Sequence, residues 1–73
     1  MNNYKQMLVR IGASIRDLRI KKKITQDGLA RLSDMEKSSL SRIETGKVNV
    51  TVLTLERISK ALKVTLSYLI TKD

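Results

Sequence analysis

Residues 25–47 read TQDGLARLSDMEKSSLSRIETGK, and this stretch decides the fold. Thr25 offers a side-chain oxygen to cap a helix starting at Gln26, and Leu29, Ala30 and Leu32 supply its inner face. Gly28 is unusual within it, costing about 1 kcal/mol against alanine, and is expected where something large packs on that turn. Ser33 and Asp34 are turn formers. Beyond them Leu40 and Ile43 mark the apolar side of a next helix, which stops at Gly46, the residue type that most easily takes a left-handed helix end. At about 100° per residue, Lys37, Ser38, Ser41, Arg42 and Thr45 share an arc of roughly 140° on the opposite side. Arginine can donate two hydrogen bonds to guanine and lysine one, while serine and threonine match several base edges or a phosphate. The face therefore suits a DNA major groove, although any surface helix also shows solvated polar residues.

Working outward, Leu8, Ile11, Ile15 and Leu18 recur at spacings of three and four, while Arg10, Arg16 and Asp17 lie off their stripe. That is a first amphipathic helix. The run Lys21-Lys22-Lys23 reads as a solvated helix end favoured by the helix dipole, with long-range attraction to a polyanion as a compatible second role. After the loop from Lys47 to Val50, Thr51 caps a fourth helix whose inward residues are Leu55, Ile58, Ala61 and Leu62. Thr65 repeats the cap before Leu66 and Leu69, a brief fifth helix. The expectation is all-α: a compact five-helix bundle in a single domain over 1–73, with its core at about 8–70.

Composition narrows the function. Fifteen Lys and Arg against seven Asp and Glu leave a net charge of +8 on 73 residues, which implies a polyanionic partner. Cysteine and histidine are both absent, so disulfides, thiolate sites and imidazole ligands are excluded together. No phosphate-binding glycine loop is present, and the serines have no histidine to activate them. An enzyme is therefore not expected, and neither is a cofactor or a metal. A chain this short buries only about 60% of its unfolded surface, so stability has to come from apolar packing, helped by self-association. No apolar run approaches the roughly 20 residues needed to span a bilayer, and no secretory signal is evident; a cytoplasmic protein without membrane attachment is expected.

Thr25-Gln26, Leu29-Ala30 and the run from Ser38 to Lys47 together resemble the phage repressor and Cro-type helix-turn-helix proteins of the XRE family. The likeness continues through Thr54-Leu55, Ile58, Lys60-Ala61-Leu62 and Val64 to Tyr68-Leu69, covering about Ile11 to Ile70 without a gap. The resemblance implies a lambda-repressor-like DNA-binding bundle whose third helix lies in the major groove while the second crosses above it. Carried onto this chain, Lys37, Ser38 and Arg42 read bases, assisted by Ser41. Gln26 reaches a phosphate from the start of the second helix, or merely decorates its first turn. Thr45, Lys47 and Asn49 match backbone contacts after the third helix, with Asn49 also readable as an ordinary turn residue. Ser39, at the side of the arc, is expected to pack or to touch the DNA backbone. Arg19 and Glu44 match a partly buried ion pair joining the first helix to the third. Three positions depart from the family pattern. Asp34 stands where glycine is common, Glu36 where a small capping hydroxyl is common, and Val50 where proline often stiffens the loop. Glu36 also brings a negative charge near the groove, able to repel phosphate or to select a cytosine amino group.

The reading is thus a sequence-specific double-stranded DNA-binding regulator, acting as a repressor by occupying its site. Leu66, Tyr68, Leu69 and Ile70 are too many for one short helix to turn inward, which leaves an apolar side chain for a homodimer and an inverted-repeat operator. The alternative is a small antitoxin-like or adaptor module that binds a protein partner and touches DNA secondarily.

Overall fold

The helix boundaries follow the chain's own punctuation. The computed structural model describes residues 3–71; positions 1, 2, 72 and 73 of the expected 1–73 domain lie outside the described residues. The chain forms α1 (Asn3–Lys21), α2 (Gln26–Leu32), α3 (Lys37–Glu44), α4 (Val52–Leu62) and α5 (Leu66–Thr71). Each expected threonine cap is in place: Thr25 Oγ1 accepts from Gly28 N at 2.9 Å, Thr51 Oγ1 from Thr54 N at 3.1 Å, and Thr65 Oγ1 from Tyr68 N at 3.1 Å. Each supplies an acceptor for a donor that a helix start leaves unpaired. The start of α3 differs, because its cap residue, Glu36, makes no side-chain capping bond.

Among the described residues the helix junctions all close in one way. Lys23, Asp34, Gly46 and Lys63 take left-handed φ values of 60°, 57°, 73° and 61°. After each, the next N–H returns to the carbonyl five residues back: Ile24 to Arg19, Met35 to Ala30, Lys47 to Arg42 and Val64 to Ser59, at 2.9 to 3.0 Å. The left-handed residue's own N–H bonds three residues back, so the pair of bonds satisfies the carbonyls at the helix end. An apolar residue commonly follows and packs back onto the helix. Ile24, Met35 and Val64 do so against the core, but the residue in that place after α3 is the exposed Lys47.

Ile15, Leu29, Leu40, Ile58 and Leu62 are fully buried at the centre of the molecule, ringed by Ile11, Leu18, Ile43 and Leu55. α1 packs on α3, α4 and α5, and α2 packs on α3 and α4, so α3 is held from two sides. Two expectations are corrected in α2. Leu32 is 65% exposed, while Ser33 is buried. With Leu29 and Ala30 both inward, the buried axis passes between them and meets Ser33, four residues after Leu29, whereas Leu32 swings about 110° away. At Gly28 nothing large presses: an added Cβ would stand 3.0 Å from Thr25 Oγ1, so the crowding comes from the cap itself.

Leu69, expected at a dimer surface, is wholly buried and seals the core, leaving Leu66 and Ile70 half-buried and Tyr68 40% exposed. The α5 helix is short and packs on both α1 and α4, and Leu69 is the side chain it turns between them. No helix among the described residues is long and apolar enough to cross a membrane.

Candidate nucleic-acid interface

The placement of α3 is decided by what lies beneath it. Leu40 and Ile43 anchor its apolar side in the core. A Cβ added at Gly12 of α1 would collide with the Ile43 carbonyl oxygen and stand 2.7 Å from Glu44 O. Only glycine lets the two backbones approach this closely. Gly46 makes the same demand from the other partner, where a Cβ would meet Val9 Cα at 2.7 Å. The carboxylate of Glu44, 2% exposed, is then gripped by Arg19, with Nε to Oε2 at 2.8 Å and Nη2 to Oε1 at 3.1 Å. Arg19 Nη1 also donates to Ile24 O at 3.0 Å, tying the α1–α2 turn to the same point. The expected ion pair is therefore present, and it fixes the end of α3 on α1.

Going around α3, the order is Glu44, Lys37, Ser41, Thr45, Ser38, Arg42 and Ser39. Lys37, Ser38, Arg42 and Thr45 are exposed and Ser41 and Ser39 half-buried, so the four expected base readers do share one accessible face. Lys37, Ser38 and Arg42 have no side-chain hydrogen bond or ion pair among the described residues. Thr45 is different. Its hydroxyl donates back to the helix carbonyls of Ser41 and Arg42, at 3.0 and 3.2 Å, and must turn away from them to donate to a phosphate.

Gln26 borders the face on the Glu44 side. Its Nε2 donates to Glu44 Oε1 at 3.1 Å, a hydrogen bond to the ion pair that the sequence reading missed. A carboxylate only accepts, so this bond fixes which end of the amide faces inward and leaves one N–H free to donate elsewhere. On the other border the loop after α3 is pinned by Val48 and Val50, which pack on the core. Val50, where proline is common, is half-buried against the core. Lys47 and Asn49 stand exposed on this loop. Asp34 occupies a left-handed position, which is why glycine is common there. The acidic residues Asp27, Asp34 and Glu36 share a shallow concavity with Lys37 at the start of α3, so the surplus of positive charge lies toward the other end of the helix.

The helix-turn-helix family model (HTH_3) matches residues 15–69. The control protein C.MunI from Mycoplasma sp is 39% identical over 70 residues, spanning 94% of this chain and 90% of that protein. The restriction-modification controller protein C.AhdI from Aeromonas hydrophila superposes with a TM-score of 0.83 at 32% identity, over 85% of this chain and 94% of that one. The P22 c2 repressor, solved in complex with synthetic operator 9T, gives 0.79 at 30% identity, over 86% and 96%. The architecture and the exposed α3 define a DNA-binding transcription regulator with a lambda-repressor-like fold. The chain belongs to the helix-turn-helix family, of XRE type.

Proposed function

We propose that the chain reads a specific double-stranded operator through α3 and represses transcription by occupying it. The observation that carries this is the α3 face itself: Lys37, Ser38 and Arg42 are exposed and unpaired on a helix whose orientation is locked by Gly12 and by the Arg19–Glu44 pair. Lys37, Ser38, Ser41 and Arg42 read base edges in this proposal. Gln26, Ser39, Thr45, Lys47 and Asn49 hold the backbone. Lys47 has the strongest structural support among the anchors, because it replaces the apolar residue that closes the other junctions and puts a cation there.

One such face reads only a few base pairs, and regulatory specificity needs more contacts. A twofold homodimer through Tyr68, with Leu66 and Ile70 beside it, doubles the face and sets the two α3 helices about 34 Å apart on an inverted repeat. The P22 c2 repressor was solved on an operator, which supports the operator-binding half of this reading. The test is selection of bound fragments from random DNA, followed by insertion of half a helical turn between the selected half-sites. Loss of affinity on insertion is the expected result. Full affinity after insertion overturns the dimer, and selection that yields no preferred sequence overturns the reader.

A further inference from the structure

The sequence reading and the family placement leave Arg57 of α4 without a role, and the structure assigns it one. A groove of about 320 Å³ runs between α3, the following loop and the first turns of α4, with Arg42 on one wall and Arg57 on the other. Its floor is apolar, from Ile43 and Val48, and Ser39 and Asn49 add a hydroxyl and an amide at the rim. No acidic residue lines it. Neither guanidinium has a hydrogen bond or an ion pair among the described residues, whereas Arg19, Arg31 and Lys60 are each paired with a carboxylate. The guanidinium of Arg57, without an ion-pair partner here and with Ser39 and Asn49 at the rim, offers a seat for an anion with several acceptor oxygens, while Arg42 remains for the bases. The groove shares Ser39 and Arg42 with α3, so it lies along the border of the reading face away from Gln26.

The geometry points to a DNA phosphodiester as the occupant. A helix in the major groove is flanked by two phosphate walls; Gln26 faces one, and this groove faces the other. Arg57 thereby acts from outside the helix-turn-helix unit as a backbone anchor, leaving base reading to α3. This rests on the proposed DNA reading and adds to it a contact from α4.

The experiment measures affinity for a selected operator across a range of salt concentrations, with Arg57→Gln, Arg57→Lys and, as a charge-matched control on α1, Arg10→Gln. Arg57→Gln is expected to weaken binding about five- to tenfold at physiological salt and to make the logarithmic salt slope shallower by about one unit per protomer, with base preferences unchanged. Arg57→Lys keeps the slope while losing part of the affinity. A methylphosphonate scan, which neutralises one phosphate at a time, should find a position that matters to the wild type and not to Arg57→Gln. The assignment is overturned if Arg57→Gln behaves like Arg10→Gln, or if it changes base preference. If Arg42→Ala flattens preference at one base position while Arg57→Gln changes nothing, the groove assignment falls and the DNA reading stands; if the wild type itself shows no salt-dependent DNA binding, both fall.

Discussion

Arg19 holds Glu44 with two nitrogens across 25 residues of chain, and Glu44 in turn accepts from Gln26. One carboxylate therefore joins α1, the end of α3 and the start of α2. Glu44→Leu should strand the guanidinium in a largely buried site and cost about 3 to 5 kcal/mol, seen as a lower urea midpoint with an unchanged slope. Arg19→Met combined with Glu44→Leu should be less destabilised than the single Glu44→Leu change, because no charge is left unpaired. Costs that simply add in the double variant would refute this account of the pair.

Gly12→Ala tests the close crossing of α1 and α3. The new methyl meets the Ile43 carbonyl oxygen and Glu44 O, backbone atoms that cannot turn aside, and α3 must shift. A loss of about 1 to 3 kcal/mol is expected, together with weaker discrimination between operator sequences. A variant that melts and selects DNA like the wild type would show that the crossing is looser than described.

Lys63→Gly runs the other way. Lys63 is exposed and left-handed at φ 61°, a conformation that costs most residues roughly 1 to 2 kcal/mol and glycine almost nothing. After glycine's greater unfolded-state entropy is set against this, a gain of about 0.5 to 1 kcal/mol remains, a rise of a few degrees in Tm. DNA affinity should not change, since Lys63 is remote from α3 in the chain and outside the proposed contacts.

Arg42→Ala and Lys47→Ala separate reading from anchoring. The first should cost roughly 1 to 3 kcal/mol on the preferred site and flatten preference at one base position, and the second should weaken all sequences nearly equally. Binding profiled over a library of single-base operator variants reads both. Identical profiles for the two would dissolve the distinction between them.

The fold was largely legible because its signals are local. Threonine caps at Thr25, Thr51 and Thr65 and the three-four spacing of Leu8, Ile11, Ile15 and Leu18 act within a turn or two of themselves, so the five helices could be read from the chain. Leu32 was misplaced because in a seven-residue helix the buried arc is set by what it packs on, and Ser33 took the inward place. Spacing counts the apolar residues on α5 but does not say which of them its neighbours cover, and Leu69 is the one fully covered. The grouping of Lys37, Ser38, Ser41 and Arg42 on one face was legible from helical periodicity, but the part played by Gly12 was not, since it acts through a segment distant in sequence. The signal for it in the sequence is a glycine inside an otherwise regular helix.

The repeated closure of the helix junctions bears on how quickly the protein becomes available. Each turn is completed by bonds reaching no more than five residues back, and the sequence contains no proline, so no isomerisation phase lasting tens of seconds delays it. Helical chains built from such short-range closures fold within microseconds to milliseconds, far less than the seconds their synthesis takes at 5 to 20 residues per second. Under the dimeric reading, the interval between translation and occupancy of an operator is then governed by the chance meeting of two finished chains, and the response rises with the square of their number.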